Sequence, residues 1–172
     1  MTVAYQKGTA NYVPAAAVIR RSDVYKRQVI DSGTYTVKKS TEGLEGKSIT
    51  INDGDINIYS TDDGVNAANK NAQQSEIFFT MNGGNLTVEV GQGDTDPIDS
   101  NGNITVTGGT IKMTGQTGFD FDGTASYIGG DIYFNGEKQT EIVNSMPGGG
   151  GAPGGAPQGN GGPGGPAPDG RP

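Results

Sequence analysis

Short runs of alternating apolar and polar residues are the most regular feature of this chain. In each run the apolar side chains stand two positions apart, which is typical of a strand with one buried face. Pairs of runs are separated by tight turns rich in Asn, Asp and Gly. No segment has apolar residues at the helical spacing of about 3.6. The pattern predicts strands at 34–37, 48–51, 55–59, 77–81, 86–90, 104–107, 111–113, 127–128 and 132–134.

The strand–turn–strand phrase recurs along the chain. The first apolar residue after the turn is Ile56, Leu86, Ile111 and Ile132, so the intervals are 30, 25 and 21 residues. Repeats of 20–30 residues with loops of variable length indicate a solenoid in which each repeat is one coil. We therefore predict an all-β, right-handed parallel β-helix. A β-sandwich, which also has short strands separated by turns, is the alternative.

Composition divides the chain into three segments. Residues 1–28 hold five basic residues and one acid, a net charge of +4, whereas 29–145 hold seventeen acids and six lysines, a net charge of −11. Residues 146–172 contain one acid and one arginine, and 19 of these 27 residues are Gly or Pro. We predict that 29–145 form the domain and that 146–172 are a disordered tail, since such a segment cannot bury enough surface to offset its ordering entropy.

The segment 23–28, with the sequence D-V-Y-K-R-Q, resembles one reading frame of a transposon end that is used to prepare sequencing libraries. We therefore expect 1–28 to be a junction or a non-native segment. A basic arm that binds a polymer or a membrane is the alternative. No run of 18 apolar residues is present, so we expect no membrane span. No signal-peptide pattern is present either, so an export signal would lie outside this sequence.

Neither Cys nor His occurs in the sequence. This excludes a disulfide framework, a zinc–thiolate site and histidine acid–base catalysis. A lyase that acts on acidic polysaccharide by β-elimination commonly needs an Arg or Lys base beside calcium, and the segment 29–145 has no arginine. An inverting hydrolase needs two carboxylates about 6.5–9.5 Å apart. Asp96 with Asp99, or Asp120 with Asp122, are candidate pairs, but the sequence does not separate an acid from a base.

Each predicted coil carries acids in the loop that follows its second strand. If the coils stack, these loops lie roughly 5 Å apart, and their carboxylates repel one another unless cations bridge them. Calcium takes six to eight oxygen ligands in a flexible geometry and fits this arrangement. The alternative is that the acids are solvated turn formers. The predicted calcium ligands are Glu42, Glu45, Asp62, Asp63, Asp96, Asp99, Asp120 and Asp122.

Aromatic rings pack against the apolar face of a sugar ring. We expect Tyr59 and Tyr133 to be exposed and to contact carbohydrate, whereas most Phe side chains are expected to lie in the core. The acidity of the domain argues against a nucleic-acid partner.

Four phrases resemble a known family in order and sequence: E-G-L-E-G (42–46), D-D-G-V-N-A (62–67), P-I-D-S-N-G (97–102) and F-D-F-D-G (119–123). They are similar to E-G-I/L-E-G, S-D-D-G-I-N-A, G-D-G-I-D-S-N-G and A-L-D-Y-D-G in the bacterial carbohydrate-binding domain-containing proteins, which have a pectate-lyase-like parallel β-helix. The resemblance covers about 31–135. Pro97 replaces a glycine of the family pattern, and the family domain is longer at its N-terminus, so the domain is expected to be truncated.

The resemblance implies a non-catalytic, extracellular or cell-surface domain that binds cellulose-like or pectin-like polysaccharide, with the eight acids associated with calcium. We expect a monomer. The alternatives are a polysaccharide lyase or glycoside hydrolase, and a structural surface or adhesin repeat.

Overall fold

The computed structural model describes residues 15–23, 27–93 and 95–145, with side chains from residue 27 onward. The described part contains fifteen strands and one turn of 3-10 helix, Gln74–Glu76. The strands are Ala15–Asp23 (β1), Arg27–Ser40 (β2), Leu44–Gly46 (β3), Ser48–Ile51 (β4), Asp55–Ser60 (β5), Val65–Ala67 (β6), Phe78–Met81 (β7), Asn85–Val90 (β8), Ile98–Ser100 (β9), Asn103–Val106 (β10), Thr110–Thr114 (β11), Phe119–Phe121 (β12), Ala125–Tyr127 (β13), Asp131–Phe134 (β14) and Glu137–Gln139 (β15).

The strands stack in three columns. Each of the first four coils contributes a strand segment to every column, and the last coil contributes β13 and β14 to the first two. The first column contains the start of β2, then β4, β7, β10 and β13. The second contains the rest of β2, then β5, β8, β11 and β14, and the third contains β3, β6, β9 and β12. All pairings between coils within these columns are parallel. The chain is thus a β-solenoid of about five turns, as predicted, and the β-sandwich alternative is wrong. The right-handed sense of the winding stays a prediction.

The register confirms the variable repeat length. Ile56 pairs with Leu86, Leu86 with Ile111, and Ile111 with Ile132, so the first apolar residues after the turns are direct neighbours. Tyr35 of β2 precedes Ile56 in this row. All five side chains are buried and form one aliphatic and aromatic ladder through the solenoid. Loops of different length are therefore accommodated outside the stacked strands.

The corner between the first two columns carries a ladder of side-chain hydrogen bonds. The Asn52 amide donates to Asp31 Oδ1, the Asn82 amide donates to Asn52 Oδ1, and the Thr107 hydroxyl donates to Asn82 Oδ1, over 2.9, 2.9 and 2.8 Å. Gly84, beside this ladder, has a φ of +77°, in the left-handed region that favours glycine. The N-D-G and N-G-G turns of the sequence thus form one continuous edge.

Both ends of the stack are covered by antiparallel strands. β1 pairs with β2 at one end, and β15 folds back on β14 at the other. Asn144 then forms a parallel bridge with Phe119 and so extends the third column. Ile128, which the alternation placed in a strand, follows β13 instead and is 72% exposed. β2 begins at Arg27, two residues before the predicted domain boundary. The predicted disordered tail, 146–172, and residues 1–14 and 24–26 lie outside the described residues.

Candidate functional site

The third column of strands lies within the segments that the sequence analysis treated as acidic loops. That expectation is corrected here: each segment contains a strand of three residues, and the four strands form a separate parallel sheet. The first residues of these strands, Leu44, Val65, Ile98 and Phe119, pair with one another and are buried. The middle residues therefore point outward, because side chains alternate along a strand.

Two rows of polar side chains run across the outward side of this sheet, which we call the acidic face. The middle residues of the strands form one row, in which Glu45 pairs with Asn66, Asn66 with Asp99, and Asp99 with Asp120. Three residues before these positions, the same register places Glu42 beside Asp63 and Asp63 beside Asp96. The Gly43 and Gly64 backbone N–H groups donate to the carbonyls of Asp63 and Asp96, as this register requires.

Hydrogen bonds link the acidic segments both within a coil and between neighbouring coils. The Asp96 N–H donates to Asp63 Oδ1 over 2.9 Å, and the Asn66 amide donates to Asp63 Oδ2 over 3.3 Å. Between the third and fourth coils the Asn101 amide donates to Asp122 Oδ2 over 3.3 Å. The side chain of Asp63 is therefore held in place by the coil above it and by its own coil.

Glu42, Asp62 and Asp63 form the tightest group of acids. One carboxylate oxygen from each lies within 4.8 Å of the others, so the group can hold a metal ion. Glu42 Oε2 and the neighbouring Asn66 Oδ1 are buried without a hydrogen-bond partner. Buried oxygen atoms normally have a partner, and an ion bound among them would supply one. The donor set of carboxylate and amide oxygens suits a hard cation.

Three of the acids have strongly raised pKa values. Burial is the largest cause in each case, and neighbouring carboxylates add to it. The pKa of Glu42 rises to about 7, with Asp63 the strongest charged neighbour. The pKa of Asp63 rises to about 6 although the hydrogen bond from Asp96 lowers it, and the pKa of Asp99 rises to about 8. Ionisation of the whole cluster is thus unfavourable unless positive charge is bound to it.

The structure brings the eight predicted ligands to one side of the solenoid. Asp96 is buried, Glu42, Asp62, Asp63, Asp99 and Asp120 are half-buried, and Glu45 and Asp122 are exposed. The acids of the fourth coil do not repeat the pattern of the first three coils. Asp120 is in register with Glu45, but the residue of the fourth coil that is in register with Glu42 is Thr117, which is not an acid.

Asn66 is a member of the site that the sequence analysis missed. In the second coil Asn66 occupies the position at which the neighbouring coils have Glu45 and Asp99, and its side chain donates a hydrogen bond to Asp63. An alignment of the four phrases on their buried residues, Leu44, Val65, Ile98 and Phe119, would have identified it.

The two tyrosines predicted to contact carbohydrate lie on the outward side of the second column, which we call the tyrosine face. Tyr59 on β5 is 36% exposed, as expected. The expectation that Tyr133 is exposed is wrong: this side chain is half-buried, because β15 folds back on β14 and places Lys138 beside it. Phe119 and Phe121 are buried in the core, as expected. The predicted metal ligands and the predicted sugar contacts therefore occupy different faces of the solenoid.

The sequence of the chain matches a known protein family over most of its length. The family model described as carbohydrate-binding domain-containing protein matches residues 16–143, so the chain belongs to this family. No curated protein and no solved structure matches the chain. Among the described residues, no helix has the length and apolar character that crossing a membrane requires.

Proposed function

We propose that this protein is a non-catalytic, monomeric polysaccharide-binding domain that acts outside the cell or at its surface. Its membership of a carbohydrate-binding family over residues 16–143 is the observation that carries the proposal. The glycan is cellulose-like or pectin-like, and Tyr59 and Tyr133 are the proposed sugar contacts. Both rings lie on the outward side of one sheet, where they are accessible to a chain of sugars.

Calcium is the proposed ion of the acidic face. Glu42, Asp62 and Asp63 would hold one ion, with Asn66 Oδ1 as a neutral oxygen ligand beside them. The remaining proposed ligands are Glu45, Asp96, Asp99, Asp120 and Asp122. Calcium would supply positive charge that offsets the repulsion of stacked carboxylates, and it would thereby fix the third column of strands.

The positions of Lys47, Lys112 and Lys138, three of the six lysines in 29–145, support a non-catalytic role, whereas Lys38, Lys39 and Lys70 are exposed and are tested by the product assay. Lys47 Nζ pairs with Glu76 over 3.1 Å, and Lys138 Nζ pairs with Asp131 over 2.6 Å. Lys112 is exposed on the tyrosine face, away from the acids. A lyase base must reach the substrate beside calcium, and none of these three lysines is free for that role at the acidic face.

A glycoside hydrolase is the second candidate, and the pKa of Asp99 favours it. A general acid must keep its proton near neutral pH, which a pKa of about 8 allows. The same value follows from burial and from four neighbouring carboxylates, which is the situation that a bound cation relieves.

The test is retention of the purified protein on insoluble polysaccharides, with calcium and with chelator, together with an assay of released products. We expect retention without unsaturated uronides or new reducing ends. New reducing ends that are absent with the Asp99→Asn variant would show that the protein is a hydrolase. Unsaturated uronides would show that it is a lyase. If calcium stabilises the protein but the protein is not retained on any of the polysaccharides, it is a structural surface repeat.

A further inference from the structure

We propose that a neutral glycan chain binds across the tyrosine face, and that the acidic face is not the contact surface. This inference rests on the proposed function, because it takes carbohydrate as the partner and asks which face receives it.

The register places the two tyrosines on one continuous surface. Asn57, Thr87, Lys112 and Tyr133 are consecutive partners across four coils, all pointing outward from the second column. Tyr59 stands two residues beyond Asn57 on β5 and pairs with Glu89. At about 4.8 Å per strand and 3.3 Å per residue, the backbone positions of the two tyrosines are about 14 Å apart along the solenoid and about 7 Å apart across it. A chain of several sugars can span this separation.

The residues around the two tyrosines make this surface polar. Asn57 and Thr87 are short, exposed side chains that offer donors and acceptors for sugar hydroxyl groups. Tyr133 lies between its register partners Lys112 and Lys138 and is half-buried, so its ring has restricted freedom before any ligand binds. The ring of Tyr133 is therefore partly preorganised for stacking, and preorganisation lowers the entropic cost of binding.

The charges of this surface select a neutral ligand. Lys112 is close to Glu89, and Lys138 is paired with Asp131 over 2.6 Å, so positive and negative groups are mixed. The acidic face has instead three acids whose oxygens lie within 4.8 Å, and it would repel an anionic glycan wherever calcium does not neutralise it. A neutral sugar chain needs no such bridge, because ring stacking and hydroxyl contacts are available on the tyrosine face.

Binding to microcrystalline cellulose and to polygalacturonate, each with calcium and with chelator, tests the inference. Five proteins are compared: the wild type, Tyr59→Ala, Tyr133→Ala, Thr87→Arg and Phe78→Ala. Thr87→Arg places a bulky side chain between the two tyrosines at an exposed position, so its fold should be intact even if a tyrosine variant unfolds. Phe78→Ala is the control, since Phe78 is a half-buried aromatic on the first column. Thermal melting verifies the fold of each protein.

We expect the wild type to bind cellulose, and Tyr59→Ala, Tyr133→Ala and Thr87→Arg each to weaken binding at least about fivefold. Phe78→Ala should retain it. If Thr87→Arg and Tyr59→Ala both bind cellulose with an affinity within twofold of the wild type, the inference is overturned. Calcium-dependent binding to polygalacturonate alone would also overturn it but would leave the proposed function standing. If the wild type binds neither polymer, both the inference and the proposed function are contradicted.

Discussion

The side chain of Asp63 accepts a hydrogen bond from the backbone N–H of Asp96, which lies 33 residues later in the sequence and one coil further along the solenoid. The distance between N and Oδ1 is 2.9 Å. This contact links two acidic segments and holds the carboxylate of Asp63 close to those of Glu42 and Asp62. Asp63 is therefore the residue at which the proposed calcium site can be tested most directly.

Asp63→Asn should weaken calcium binding by at least about tenfold, because a charged ligand is lost from the centre of the cluster. Titration calorimetry with calcium measures the affinity, and the calcium-induced rise in melting temperature should shrink in parallel. Without calcium the variant should be at least as stable as the wild type, since one source of repulsion is removed.

Asp53→Asn is the matched control for this substitution. It removes the same charge at the corner between the first two columns, where Asp53 accepts a hydrogen bond from the Gly54 N–H. Calcium affinity should stay at the wild-type value. An equal loss of affinity in both variants would show that total charge, and not the acidic face, determines calcium binding.

The stability of the calcium-free protein should fall as the pH rises. In the folded state the pKa of Glu42 is about 7 against an ordinary value of 4.5, and those of Asp63 and Asp99 are about 6 and 8 against 3.8. The folded protein thus retains protons that the unfolded chain has already released. The stabilisation from these groups is complete below their ordinary values and is lost as the pH rises through about 6 to 8.

Saturating calcium should reverse this trend, because calcium binds the ionised carboxylates more tightly as the pH rises. Thermal melts across this pH range, with calcium and with chelator, measure both slopes. Parallel slopes under the two conditions would contradict calcium binding at the acidic face.

Gly84→Ala should destabilise the fold much more than Gly136→Ala. Both glycines have a left-handed φ, +77° and +85°. A Cβ at Gly84 would lie against the backbone of Gly54 in the neighbouring coil, 2.6 Å from its nitrogen, whereas a Cβ at Gly136 meets nothing within 4 Å. We expect Gly136→Ala to lower the free energy of unfolding by about 1–2 kcal/mol, because of the backbone conformation alone. Gly84→Ala should lower it by more than about 3 kcal/mol. Denaturant unfolding measures both, and equal losses would mean that the coils are not in close contact at this corner.

Asn82→Ala should cost about 1 kcal/mol of unfolding free energy. The substitution removes the hydrogen bond that Asn82 donates to Asn52 and the one it accepts from Thr107, and exposed hydrogen bonds are at the lower end of the usual range. Asn57→Ala, an exposed asparagine on β5, is the control and should have a smaller effect. A similar loss in both variants would show that the corner ladder adds no stability of its own.

The sequence by itself determined the solenoid and the register of its second column. Ile56, Leu86, Ile111 and Ile132 follow turns of the same type, and alternation around them identifies the buried row without any knowledge of the coil length. The grouping of acids on one side was also predictable, since equivalent loops of stacked coils must be adjacent. The resemblance of four phrases predicted the family that the match over 16–143 confirms.

Only the tertiary structure decided how the third column is built. Strands of three residues, such as Val65–Ala67, are too short to show a period of two, so the sequence predicts loops at these positions. The pairing of Asp63 with Asp96 and the position of Asn66 depend on contacts between coils of unequal length, which local sequence does not encode. The separation of Tyr59 from the acids likewise follows from the column to which each strand belongs, and that is fixed by packing around a common core.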